Sequence, residues 1–132
     1  MWLVKTEPGD YGYEQLERAG RAAWDGVKNP VALRNLALMK VGEEVVVYHT
    51  GEEKAAVGRA RVVKAAYADP KAKDERMLVV DLEATGRLPR AVTLAEMKAH
   101  PAFADSPLVR QGRLSVVPLS AAQWGVLMGT KK

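Results

Sequence analysis

The sequence predicts an α+β domain. Five or six mostly antiparallel strands curve into a small barrel-like sheet, and three or four short helices pack around it. Three observations carry this reading. Runs rich in Val, Leu and Tyr recur along the chain, some of them alternating apolar with charged residues. The central runs are joined by segments too short for a crossover helix, so they pair antiparallel. Helix-start signals stand between other runs: Asn29 before Pro30, Thr93 three residues before Glu96, and Ser120. At 132 residues, 48% hydrophobic and 27% charged, the chain has the size and balance of one soluble globular domain spanning 1–132.

In chain order, MWLVK is an apolar run suited to a buried strand. GYEQLERAG reads as a short helix closed by Gly20, since glycine readily takes the left-handed position after a helix. Asn29 and Pro30 open NPVALRNLALMKVG, with Ala32, Leu36 and Met39 on one face and Gly42 expected to stop the helix. EEVVVYHTG and AAVGRARVVKAAY follow as strands; in the second, Arg59 and Arg61 share one face and Ala60 and Val62 the other. YADPKAKDERM, residues 67–77, is charged and joins two apolar runs as a hairpin connection. RMLVVDLEA sets Leu78, Val80 and Leu82 against Asp81 and Glu83. RLPRAVTL is expected at a sheet edge, because Pro89 cannot donate to a ladder. Thr93 and Glu96 have capping-box spacing ahead of LAEMKAH, and RLSVVPLS is a last short strand. Ser120 then caps a helix whose Trp124, Leu127 and Met128 form a core stripe.

Composition removes several chemistries. Without cysteine there is no disulfide, thiolate metal site or thiol nucleophile, and a reducing, cytoplasmic compartment is expected. The first residues reach charge at Lys5 and Glu7, leaving no apolar signal core, and no run approaches the ~18 apolar residues of a spanning helix. No membrane partner is therefore expected. His49 and His100 lie far apart and in no metal-ligand spacing, so no metal is expected either. His100, before a proline at a helix end, reads as structural. The glycine-rich cofactor patterns and the GxSxG nucleophile turn are absent; no cofactor and no catalysis are expected. The net charge of +4 suits a polyanionic partner, because neutralised phosphates release counterions.

Binding has more support. Trp2 stands near Lys5 and Glu7, Tyr11 and Tyr13 bracket Gly12, Trp24 leads WDGVKNP, and Tyr48 adjoins His49. Flat aromatic faces stack bases, while amides and backbone groups read base edges. Each element also has a structural account. The aromatics can fill a core, His49 can be a satisfied strand-end residue, and Arg59 and Arg61 can form a solvated face. Asn29 can be spent on capping, although a helix start also presents free N–H groups. Gly26 lets a ligand approach the backbone, flanked by Asp25 and Lys28.

Taken together, WLVKTEP, WDGVKN (24–29), GEEVVVYHTG (42–51), VGRARVVKAAYADP (57–70) and RLSVVPLSAAQW (113–124) resemble the EVE domain, in the same order. This is the thymocyte nuclear protein-like family of the PUA-like superfamily. The resemblance implies a PUA-like fold and a binding module that holds a flipped or unpaired modified base, such as methylated or hydroxymethylated cytosine or a methylated RNA base. The implied partner is DNA or RNA carrying such a base; a monomer is the expectation, although the sequence itself gives no oligomeric state. The resemblance also implies that Trp2, Lys5 and Glu7 line one side of an aromatic pocket. Trp24, Gly26, Val27 and Asn29 would form its stacking and edge-reading part, Tyr48 and His49 a wall, and Arg113 and Ser115 the rim. Lys28, Arg59, Arg61 and Arg113 would hold phosphates. Lys28 stands where the family usually has arginine, exchanging a planar fork for a point charge. A sensor of a free modified base or nucleotide and a protein-interaction adaptor are the competing readings.

Overall fold

A computed structural model describes residues 1–129 of the chain. Its strands are β1 (Trp2–Thr6), β2 (Arg21–Trp24), β3 (Glu44–His49), β4 (Ala55–Ala68), β5 (Leu78–Thr93) and β6 (Val116–Pro118). They form one sheet in the order β2-β5-β4-β3-β1-β6. The pair β1–β3 is parallel and the other neighbours are antiparallel. A parallel pair needs a long crossover. Here it contains α1 (Pro8–Tyr11), α2 (Tyr13–Ala19), β2 and α3 (Pro30–Leu38). The C-terminal part adds α4 (Leu94–Ala99), a 3-10 turn (Pro101–Phe103), α5 (Pro107–Arg110) and α6 (Ala121–Met128).

The expected barrel is not what the ladders form. Register shifts at Val47/Tyr48 and at four points between β4 and β5 bend the long central strands, as bulges do. Yet β2, of four residues, pairs only with β5, and β6, of three, pairs only with β1. These short strands remain the two edges of an open sheet. The centre reads as a near-continuous apolar run because both faces are covered; Leu3, Val4, Val45, Val46 and Val47 are fully buried.

Three further expectations change. RLPRAVTL is not a separate strand but the second half of β5. It pairs with β4 through Gly58↔Arg87 and Ala56↔Val92, beyond the reach of β2, so Pro89 still has one open side. The third helix ends at Leu38, before Gly42: Met39 turns extended (φ −67°, ψ 137°) and is buried, pulling the chain out of the helix. Among the described residues there are also more helical segments than expected, α1 and α5 being single turns of four residues.

Tyr13 ties α2 to the middle of the sheet. Its fully buried hydroxyl lies 2.6 Å from the Arg59 carbonyl and 2.8 Å from that of Gly86, and it accepts the Gly86 N–H at 3.1 Å.

Candidate functional site

A cavity of about 720 Å³ opens between the end of β1, the segment from β2 to Val27, and the 67–71 connection that follows β4. β2 creates one wall: it pairs with β5 from Arg21↔Glu83 to Trp24↔Val80, which leaves Trp24 at the last rung. Gly26 then takes φ +79°, a left-handed turn that favours glycine, and sends the chain on to Val27 and the α3 cap. A Cβ at Gly26 would meet nothing within 4 Å, so dihedral angle and not space selects the residue.

Tyr11 stands edge-on to Trp24, with ring centroids 6.1 Å apart and planes at 84°, a favoured aromatic geometry. Across the cavity the Tyr67 hydroxyl donates to Asp81 at 2.6 Å. Lys5 donates Nζ to the Gly112 carbonyl at 2.9 Å, and its backbone N–H bonds the Ser115 carbonyl at 2.9 Å, bringing two distant segments together. Burial lowers the pKa of Lys5 and raises that of Tyr11, where the charge of Asp25 adds to the rise. The bond to Asp81 chiefly raises that of Tyr67, with burial and the charges of Asp81 and Asp69 adding to it.

Of the residues expected at a base site, Lys5, Glu7, Trp24, Gly26, Val27 and Ser115 line this cavity. The others lie elsewhere. Trp2 is buried at the far end of β1, its indole donating to Glu43 at 3.0 Å. Tyr48 is buried behind Lys5, whose Nζ lies 5.7 Å from its ring. His49 faces a second hollow of about 520 Å³ beside Gly12 and Gln15. Its Nε2 accepts the Tyr13 N–H at 2.9 Å and its Nδ1 sits 2.7 Å from Glu53, so both ring nitrogens are engaged. The Asn29 side-chain Oδ1 accepts from the Val31 and Ala32 N–H groups at 2.8 and 3.1 Å, which is capping.

The expected phosphate contacts divide in two. Lys28 and Arg113 are exposed and, among the described residues, in no ion pair. Arg61 is paired with Glu83 at 2.8 Å. Arg59 lies 3.6 Å from Glu44 and 5.5 Å over the Trp124 ring. Trp124, expected in the core, is only partly buried there. Sequence reasoning does not single out Tyr67, Asp69 or Lys71 for the site, and it notes Tyr11 among the aromatics and Asp25 beside Gly26 without assigning either to the pocket. Tyr67 carried no local signal beyond being an aromatic at the foot of a hairpin.

No group of three or more His, Asp or Glu side chains among the described residues could hold a metal ion. The cavity therefore offers aromatic faces, hydrogen bonds and charge.

The chain's relatives include thymocyte nuclear protein 1 from Danio rerio, 29% identical over 93% of this chain and 68% of the relative. The Homo sapiens protein of the same name is 28% identical over 99% and 73%. Solved structures extend the likeness. A Rhodopseudomonas palustris protein determined by NMR is 37% identical with a TM-score of 0.90, covering 98% of this chain and 90% of that one. An Agrobacterium tumefaciens crystal structure is 31% identical with a TM-score of 0.93, covering 97% and 90%. Human thymocyte nuclear protein 1 in complex with DNA containing 5-methylcytosine is 28% identical with a TM-score of 0.87, covering 97% and 95%. With the EVE domain pattern matching residues 1–130, the chain belongs to the EVE domain family.

Proposed function

We propose that the chain reads a modified base, a methylated or hydroxymethylated cytosine in DNA being the first candidate, by taking it out of the stack into the Trp24 cavity. The observation that carries this is the Tyr11–Trp24 pair, set edge to face in a hollow of about 720 Å³, a size at which small ligands bind. The solved complex of the human relative with 5-methylcytosine DNA supports the choice of DNA. Methylated RNA bases share the chemistry and form the second arm of the test.

Extrusion costs a few kcal/mol, least for an unpaired base. Stacking on an aromatic face returns about 1–3 kcal/mol. Val27, 7% exposed beside Trp24, offers apolar surface for a methyl group. Phosphate contact falls to the exposed Lys28 and Arg113, while contact at Arg59 or Arg61 would break the pairs with Glu44 and Glu83. No bond is made or broken in this scheme, so it describes a reader and not an enzyme.

The test is a titration with matched single- and double-stranded DNA and RNA oligonucleotides, each carrying one modified base or its plain counterpart. The modified member of at least one pair should bind about 10-fold more tightly. Equal affinity within every pair would overturn the proposal. Trp24→Ala is a poor probe, because Trp24 is 6% exposed and its truncation costs about 3–5 kcal/mol of stability. Tyr11→Ala and Trp24→Phe probe the same faces at lower risk, and each should weaken the modified-base preference.

A further inference from the structure

The hydrogen-bonding groups of the cavity wall are unevenly spent. Its donors are largely used within the protein: Lys5 Nζ on the Gly112 carbonyl, Thr6 Oγ1 on the Tyr11 carbonyl at 2.6 Å, and the Tyr67 hydroxyl on Asp81. Its acceptors are not. Four acidic residues line the cavity, and among the described residues nothing hydrogen-bonds or ion-pairs with the side chains of Asp10 and Asp25. Glu7 and Asp69 each accept with one oxygen only, from the Gly9 and Lys71 N–H groups. Asp25 is the best placed of these acids. It follows Trp24 directly, and its charge acts on Tyr11, the ring set against Trp24.

Resting on the base-reading proposal, we infer that the cavity selects bases with an exocyclic amino group, with the Asp25 carboxylate accepting from it. A carboxylate has acceptors only and matches the N4 amino group of cytosine. Thymine and uracil place a carbonyl oxygen at the same ring position, where lone pairs would face a negative charge. A cavity donor that must discriminate by an unpaired polar contact can separate ligands by large factors, and the same holds for a cavity acceptor. The Tyr11 and Ser115 hydroxyls form no hydrogen bond among the described residues and remain for the acceptor atoms that a cytosine also carries.

The experiment uses four single-stranded DNA oligonucleotides identical except for one base: 5-methylcytosine, thymine, cytosine or uracil. Thymine is 5-methyluracil, so the set separates the methyl group from the amino group. The full chain should bind the 5-methylcytosine strand at least 10-fold more tightly than the thymine strand. Asp25→Asn replaces an acceptor by a group that can also donate, and should bring those two within about 3-fold while keeping 5-methylcytosine ahead of cytosine. Asp25 is exposed and the change is isosteric, so a thermal melt should match that of the parent. Equal binding of 5-methylcytosine and thymine, both ahead of cytosine and uracil, overturns this inference and leaves the base-reading proposal standing. A 10-fold ratio that survives Asp25→Asn overturns the assignment to Asp25. Equal binding of all four strands overturns this inference, whereas the base-reading proposal falls only if every modified and plain pair of the wider titration also binds equally.

Discussion

Tyr11 and Tyr13 stand either side of Gly12, yet one walls the cavity and the other is fully buried under the sheet. Nothing in their shared neighbourhood separates them; the difference comes from what lies above each after folding. For Tyr13 that is Gly58, where an added Cβ would overlap the ring, inside any tolerable contact. Both the ring and the strand are held, the first by its hydroxyl bonds and the second by its ladder. Gly58→Ala should therefore lie at or beyond the upper end of ordinary overpacking, about 3 kcal/mol of lost stability in a denaturant melt. A loss below about 1 kcal/mol would mean that Tyr13 can move aside. The glycine in VGRAR is visible in the sequence, but a partner 45 positions upstream is not. By contrast Asn29, Thr93 and Ser120 were legible as caps, since a cap acts on N–H groups two or three residues away.

The same division by range governs the elements. Strands with a β-branched run, β1, β3 and the first half of β5, were readable because burial on both faces or one imposes the pattern directly. β2 was not: Arg21–Trp24 is four residues with two alanines, and it becomes a strand through pairing with β5. Part of the site went unread with it, since β2 carries Trp24 to the cavity and the 67–71 connection arrives opposite from the hairpin. The start of α4 gives a pH test. Glu96 accepts from the Thr93 N–H at 3.1 Å and meets Arg90 at 2.7 Å, which holds its carboxyl from the ordinary 4.5 down to about 2. A carboxyl depressed on folding stabilises above its unfolded pKa, and that contribution is lost as pH falls through the folded value. Thermal melts between pH 5 and 2 should show the parent losing this contribution. Glu96→Gln should lack that component of the decline; identical pH profiles would mean that the exposed pair contributes nothing.

For the whole molecule, the placement of charge matters more than the net +4. Among the described residues eight arginines are already matched to acids, including Arg61 to Glu83 and Arg87 to Glu17. Lys28 and Arg113 are not, and they lie next to Val27 and near Ser115 on the cavity wall. Plots of log affinity against log salt for an oligonucleotide should fall by about 0.7–0.9 per phosphate neutralised. Lys28→Gln and Arg113→Gln should each reduce that slope by about 1, and Arg61→Gln should leave it nearly unchanged. The opposite ranking would move the phosphate path onto the face of β4. A flat plot in the parent would instead favour a sensor of free bases.

The position of β1 has a consequence in time. It is made first, yet it lies between β3 and β6, and Lys5 reaches across 107 residues to Gly112. At ordinary rates of synthesis the ribosome needs about 5–20 s to cover that interval. During it the first strand has no partner on one side and the cavity lacks its Ser115 wall. A nascent chain halted before residue 113 should therefore hold most of the sheet's sequence and none of its ligand affinity.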